Sequence, residues 1–271
     1  MNGQVHLVTG AASGIGACLV EGLLARGATV LAMDRNEAGL QALKTRLASA
    51  ALATRVLDVR DAADWQRSLA EAQARYGRID TLMNVAGVLK PGYVQDFDPA
   101  DVDFHLDINT KGVIHGTRAV ARLMVAQGGG HIINIASLAG LAPVPGLSLY
   151  SASKFAVRGF TLAAAYELKP LGVKVTAVCP DAVATPMLDL QRHREEAALT
   201  FSGSRKTLTA ADVAQAIFDT VLPTAPFELS LPAQRGRLAK LGSLFPQLNY
   251  ALLDGLRARG RQIQQKTQIQ P

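Results

Sequence analysis

Val5-His6-Leu7-Val8-Thr9-Gly10-Ala11-Ala12-Ser13-Gly14-Ile15-Gly16 is the stretch that decides the fold of this 271-residue chain. Val5 to Val8 is a short apolar run that ends at a turn, the signature of a buried strand. Leu19, Leu23 and Leu24 then recur at helical spacing. A strand therefore passes through a glycine turn into a helix. Glycines at such a turn let backbone N–H groups approach a pyrophosphate, and the helix N-terminus adds partial positive charge. The spacing is Gly-x-x-x-Gly-x-Gly, not the commoner Gly-x-Gly-x-x-Gly. Gly10, Ser13, Gly14, Ile15 and Gly16 are the expected cradle. On its own, a turn of this kind is also an ordinary tight turn.

The next segment supports the nucleotide reading. Thr29-Val30-Leu31-Ala32-Met33 reads as a second strand and ends in Asp34, eighteen residues after Gly16. A carboxylate there accepts ribose hydroxyls and repels a 2′-phosphate, so the sequence predicts NAD over NADP. Arg35 follows directly and works against that preference. Asp34 also suits a cap for the next helix.

Strand and helix patterns alternate along the chain. Strands are expected near 4–9, 28–33, 53–58, 79–84, 130–136, 173–179 and 226–231. Alternation of this kind predicts an α/β fold, a single Rossmann-type doubly wound domain with a seven-stranded parallel sheet and helices on both faces. The length suits one such domain with a large core. Residues 1–232 are assigned to it, and 233–271 to a basic, amphipathic, helical extension that is not an independent domain. No solenoid repeat or low-complexity linker interrupts the chain.

Tyr150-Ser151-Ala152-Ser153-Lys154 places a phenol and an ammonium one helical turn apart on one face. Free tyrosine, with a pKa of about 10, is a poor base at neutral pH, and a nearby cation favours the phenolate. The sequence therefore predicts that Lys154 brings the Tyr150 pKa down. Alone, the pair describes many half-exposed helices. Ser137 ends the apolar strand Ile132 to Ala136, and serines after strands usually cap turns. Asn109 falls in a long helical stretch, Asp58-Val59 closes the third strand, and Asn84-Val85-Ala86-Gly87 closes the fourth.

The order of these pieces carries more weight than any one of them. Glycine turn, acidic strand end, Asp-Val, Asn-x-Ala-Gly, Asn, Ser, then Tyr-x-x-x-Lys resembles the short-chain dehydrogenase/reductase family over about residues 4–190. The family's Thr-Gly-x-x-x-Gly-Ile-Gly stands unchanged at Thr9 to Gly16. The resemblance implies that Asn109, Ser137, Tyr150 and Lys154 form a catalytic tetrad. It implies that Asp58 and Val59 flank the adenine, and that Asn84, Ala86 and Gly87 line the cofactor cleft. Pro180, Val183 and Thr185 would hold the nicotinamide side, and Tyr150 and Lys154 would also touch the cofactor.

Two positions depart from the family pattern. Val85 replaces the second asparagine of the usual Asn-Asn-Ala-Gly. After Cys179 the usual Pro-Gly-x-Val-x-Thr becomes Pro180-Asp181-Ala182-Val183-Ala184-Thr185. Aspartate tolerates the left-handed backbone region better than most residues, so Asp181 is expected to keep the loop. Beside an oxidised nicotinamide its carboxylate would favour the positive ring.

By the resemblance, the tetrad serves any carbonyl or alcohol presented to the nicotinamide. Leu138, Leu141, Pro143, Val144, Leu147, Met187, Leu188, Leu190, Leu199 and Phe201 form an apolar expected substrate wall with few fixed charges. The expected reaction is NAD(H)-dependent interconversion of a lipophilic secondary alcohol and its ketone, of steroid, terpenoid or long-chain type. The alternative is an NADPH-dependent ketoreductase acting on a carrier-bound 3-oxoacyl group, which Arg35 and the basic tail favour and Asp34 opposes. A non-catalytic NAD-binding regulator on the same fold is a third reading, separated from the others by steady-state turnover.

The chain carries a formal charge of +6. From Ala233 on, Arg235, Arg237, Lys240, Arg257, Arg259, Arg261 and Lys266 face only Asp254, so the whole excess lies in the extension. A neutral body argues against a nucleic-acid groove. Leu238, Leu241, Leu244, Phe245, Leu248, Leu252, Leu253 and Leu256 recur there at spacings of three and four, with Pro246 expected to split them into two helices. The family's common form closes with a glycine-rich strand instead. Three readings of the extension stand: a helix pair docked on the body or on another subunit, a lid over an apolar site, or interfacial attachment to a membrane. Cys18 and Cys179 show no paired spacing and are expected reduced, without a disulfide. His6, His105, His115, His131 and His193 make no metal-ligand pattern, so no metal is expected. The first strand begins almost at Met1 and no apolar run reaches membrane-spanning length. A cytoplasmic homodimer or homotetramer is expected, with peripheral membrane contact through the extension as the open variant.

Overall fold

A computed structural model describes residues 1–203 and 207–268, with the side chains of Leu248 and of residues 266–268, Lys266 among them, outside the described set. Seven strands form one sheet: β1 (Val5–Thr9), β2 (Thr29–Asp34), β3 (Leu52–Val56), β4 (Thr81–Asn84), β5 (Gly130–Ile135), β6 (Val173–Pro180) and, at one edge, β9 (Glu228–Leu231). Their order is β3-β2-β1-β4-β5-β6-β9, and each neighbouring pair is parallel. The order reverses between β1 and β4, which opens a crevice at the carboxyl ends of the strands. A two-stranded ladder, β7 (Val183–Ala184) with β8 (Leu208–Thr209), lies apart from the sheet and was not legible in the sequence.

The central strands are buried on both faces, so they read as continuous apolar runs. Helices cover those faces: α1 (Gly14–Ala25), α2 (Glu37–Leu47), α3 (Ala62–Tyr76), α4 (Ala100–His105), α5 (Gly112–Ala126) and α6 (Ser148–Leu168). Three short helices follow, α7 (Pro186–Asp189), α8 (Ala210–Ala216) and α9 (Leu222–Thr224). The last two are α10 (Ala233–Leu244) and α11 (Pro246–Gln268), separated at Phe245 as Pro246 predicts. One core cluster packs α1 and α8 against β1 and β2, and another packs α3 and α5 against the opposite face. Trp65 anchors the second cluster, and its indole N–H donates to the Val59 carbonyl at 3.1 Å.

Two boundaries differ from expectation. β3 stops at Val56, so Asp58 and Val59 lie in the loop after the strand, where both face the crevice. Asn109 sits in a π-helical turn, Leu106–Lys111, between α4 and α5. A π turn rotates the side chains that follow it, and such turns recur at functional sites.

Candidate active site

The crevice is a cavity of about 1170 Å³ at the carboxyl ends of the strands. Gly10, Ser13, Gly14, Ile15 and Gly16, the expected cradle, all line this cavity. The geometry suits a nucleotide. A Cβ on Gly10 would stand 2.8 Å from the Ala86 backbone. One on Gly16 would stand 2.7 Å from the Gly10 carbonyl carbon. No side chain caps α1 and no acidic residue sits in its first turn, so its N-terminal N–H groups face the crevice uncompensated. Thr9 ties the turn to β4, its hydroxyl accepting from the N–H groups of Val85 (3.0 Å) and Ala86 (3.1 Å).

Asp34 stands at the end of β2. One carboxylate oxygen accepts from Ala12 N–H at 3.0 Å and the other from Asn36 N–H at 2.9 Å. The helix cap proper is Asn36, which accepts from Gly39 N–H. Arg35, Asp58 and Val59 complete this end. Arg60, which the sequence reading missed, also lines it and pairs with Asp58 at 2.6 Å. That hydrogen bond holds the Asp58 carboxyl below its ordinary range.

Ala86 and Gly87 line the crevice, but Asn84 does not. Asn84 pairs in register with Asn134 of β5, so both side chains point into the same buried layer. Its amide donates to Asn134 Oδ1 at 2.8 Å. Val85, the departure from the family pattern, faces the crevice instead.

Ser137, Tyr150 and Lys154 meet at the centre of the cavity. Ser137 lies two residues past the end of β5 and caps a short turn, its hydroxyl accepting from Ala139 N–H at 3.1 Å. Tyr150 and Lys154 lie one turn apart on α6, with the ammonium 5.7 Å from the phenol ring centre. Lys154 Nζ donates to the Ile135 carbonyl at 2.8 Å. Burial pushes the Tyr150 pKa up to about 12, against a pull down from the Ser137 hydrogen bond. Burial pulls the Lys154 pKa down to about 8. The net shift of Tyr150 thus runs opposite to the lowering that the sequence predicts from Lys154. Desolvation of the phenolate dominates.

Asn109 is fully buried and does not reach the cavity wall. Its carbonyl accepts from Val88 N–H at 2.7 Å, and its amide donates to Val88 O and Ser153 Oγ, each at 2.9 Å. Ser153 Oγ in turn donates to the Tyr150 carbonyl at 2.7 Å. Asn109 thus braces the first turns of α6 from behind. A Cβ on Gly87 would stand 3.3 Å from Asn109 Oδ1 and 3.5 Å from Lys154 Nζ, so the two polar groups flank one glycine.

Pro180, Val183 and Thr185 line the cavity beyond Ser137. Thr185 reaches over the glycine turn, 3.2 Å from where a Cβ on Gly14 would be. Asp181 does not adopt a left-handed backbone; among the described non-glycine residues only Ala48 and Ala225 have positive φ. Its carboxylate pairs with Arg235 at 2.5 Å, so it presents no free charge to the crevice.

Of the expected apolar wall, Leu138, Pro143, Val144, Leu147, Met187, Leu188, Leu190 and Leu199 face the cavity. Leu141 and Phe201 turn into the protein. Of the extension residues named from the sequence, Leu238, Leu241, Phe245, Leu252, Leu253 and Leu256 line the same cavity, the placement that the reading of a lid over an apolar site expects. Their helical spacing was the available signal. Arg235, Lys240 and Arg261 of the extension are ion-paired to the body, which offsets part of its charge. Among the described residues no cluster could hold a metal ion, and no helix is long and apolar enough to cross a membrane.

Comparison with known proteins agrees with this geometry. The family described as short chain dehydrogenase matches residues 4–196. A 3-alpha-(or 20-beta)-hydroxysteroid dehydrogenase of Mycobacterium tuberculosis is 40% identical over 187 residues, 69% of this chain and 72% of that protein. A crystal structure of a short chain dehydrogenase/reductase from Burkholderia phymatum in complex with NAD superposes with a TM-score of 0.82 at 28% identity. It covers 92% of this chain and 95% of its own. A serine dehydrogenase complexed with NADP+ gives a TM-score of 0.77 at 33% identity, over 84% of this chain and 94% of its own.

Proposed function

This chain belongs to the short-chain dehydrogenase family, and on that premise we propose that it interconverts a lipophilic secondary alcohol and its ketone with NAD(H). It is an oxidoreductase of the alcohol/ketone class. The observation that carries the finer reading is the composition of this cavity. Glycine turn and Asp34 stand at one end, Ser137, Tyr150 and Lys154 in the middle, and apolar side chains from the loop after Thr185 and from the extension at the other.

When bound, a nicotinamide cofactor supplies the hydride acceptor or donor. The glycine turn would hold its pyrophosphate, Asp34 its adenosine ribose, and Pro180, Val183 and Thr185 its nicotinamide side. Tyr150 takes the proton of the alcohol hydroxyl, or returns it to the carbonyl oxygen. Ser137 donates a hydrogen bond to that oxygen and orients it. A phenol with a pKa pushed up to about 12 holds its proton at neutral pH, which suits the acid role. The base role needs positive charge beside it, and Lys154 is the protein's contribution. We assign Asn109 a positioning role, through Val88 and Ser153. A carboxylate at Asp34 favours NAD. Within this proposal residues 1–232 form the catalytic domain and 233–271 an extension that walls its cleft. A homodimer or homotetramer fits, with exposed Tyr166 and Phe227 packed edge to face beside the start of the edge strand β9 as apolar surface.

The test is a screen of alcohols and ketones with both NAD and NADP, read by NADH or NADPH absorbance. Turnover of a hydroxysteroid or similar apolar alcohol with NAD supports the reading. Turnover only of acyl-carrier substrates with NADPH would replace it with the ketoreductase alternative.

A further inference from the structure

The two features that depart furthest from the family pattern, Asp181 and the extension, touch each other. Asp181 follows β6, and its N–H donates to the Leu231 carbonyl at 2.8 Å, just before α10 begins. Its carboxylate lies 2.5 Å from the Arg235 guanidinium in the first turn of that helix. Further along α10, Lys240 lies 2.5 Å from Glu228 of β9, which also takes Arg158 at 2.5 Å. Between the two pairs, a Cβ on Gly236 would stand 2.5 Å from Ser230 Oγ, so the helix backbone lies directly on the sheet edge. Between and beyond these anchors Leu238, Leu241 and Phe245 line the cavity yet remain more than half exposed. They form an apolar wall that still faces water.

We propose that the Asp181–Arg235 pair is a clasp that seats α10 against the cofactor side of the cleft and so makes the extension a specificity-determining wall for large apolar substrates. The proposal rests on the alcohol/ketone reading of the cleft. Its logic is positional. Asp181 belongs to the loop that carries Val183 and Thr185, so α10 is tied to the segment that would touch the nicotinamide side. A large apolar substrate would cover the exposed leucines, and covering one such side chain strengthens binding by about tenfold or more. A small alcohol would not reach them. Asp181 is partly buried, and burial raises its pKa while Arg235 pulls it back. Removing Arg235 therefore leaves a carboxylate that is poorly solvated, and the loop and helix must part to hydrate it.

The experiment uses the full chain as Arg235→Ala, Asp181→Ala, the double alanine variant, and the charge exchange of Asp181→Arg with Arg235→Asp. Two quantities are read: kcat/KM for a hydroxysteroid relative to isopropanol, and hydrogen exchange across residues 233–244. Each single variant is expected to lower the ratio about tenfold, mainly through KM for the steroid, and to speed exchange in α10. The double variant should lose no more than either single, and the charge exchange should recover part of the ratio. An unchanged ratio, or additive losses in the double variant, overturns the proposal. If the parent turns over no alcohol at all, the alcohol/ketone reading fails, and exchange across 233–244 still decides the clasp: unchanged exchange in both single variants overturns it.

Discussion

Gly16→Ala is the sharpest structural perturbation of the cradle. The added Cβ would stand 2.7 Å from the Gly10 carbonyl carbon and 3.0 Å from Ala11 Cα, and closer still to the Gly10 carbonyl oxygen. Ordinary contact begins near 3.4 Å, and all three neighbours are backbone, so no side chain can swing aside. The turn itself must open by more than half an ångström. Overpacking of this kind costs about 1–3 kcal/mol. In a chain of this size that lowers Tm by roughly 2–4 °C per kcal/mol, or about 5 °C in the middle of the range. The same opening moves the N–H groups that would receive the pyrophosphate, so NADH binding should weaken by at least about tenfold. Gly159→Ala is the control. That glycine lies exposed on α6 with nothing within 4 Å of a new Cβ. It should gain about 0.5–1 kcal/mol from helix propensity and bind NADH as the parent does. Thermal melts and NADH fluorescence titration read both effects. A Gly16→Ala protein with parent Tm and parent NADH affinity would refute the closed-cradle reasoning.

Three further outcomes follow from the same geometry. The parent should prefer NAD, and Asp34→Ala should narrow or invert that preference in kcat/KM, because Arg35 and Arg60 line the same pocket; a parent that already prefers NADP contradicts the assignment and promotes the ketoreductase alternative. Asp34→Ala should also lower Tm, since it leaves the N–H groups of Ala12 and Asn36 without their acceptor. His6 and His131 have pKa values pulled down by burial to about 4, so the unfolded chain binds more protons below about pH 6.5. Stability is then full above pH 6.5 and falls by on the order of 3 kcal/mol per histidine as pH drops toward 4. His6→Leu, at a site whose ring nitrogens have no partner, should flatten that acid limb in urea titrations, and a parallel limb would count against it.

What could be read from the sequence was what local physics controls. Strands buried on both faces leave unbroken apolar runs, which mark β1, β5 and β6; the less buried β3 and β9 were placed by the alternation of strand and helix, and the strand order in the sheet was not predicted. Tyr150 and Lys154 share a face because of helical spacing alone. Asn84 was misplaced because the facing of a strand-end side chain depends on its register with Asn134, set by pairing fifty residues away. The π turn at Asn109 has no local pattern of its own; it arises where the helix must place that amide between Val88 and Ser153. The raised Tyr150 pKa depends on burial, which a two-residue motif does not report. Arg60 is invisible until β3 ends early and the loop turns its guanidinium back on Asp58. Asp181 looked like a backbone substitution because its partner, Arg235, lies on a segment outside the family match at residues 4–196.

The central claim is that Tyr150 moves the proton at an alcohol/ketone site. Tyr150→Phe keeps the ring and removes only the hydroxyl, so the most direct measurement pairs NADH binding by fluorescence with turnover of any accepted alcohol. NADH affinity within about twofold of the parent, together with turnover lowered by about a hundredfold or more, is the predicted result. Turnover within about tenfold of the parent would contradict the assignment of Tyr150 as the acid/base.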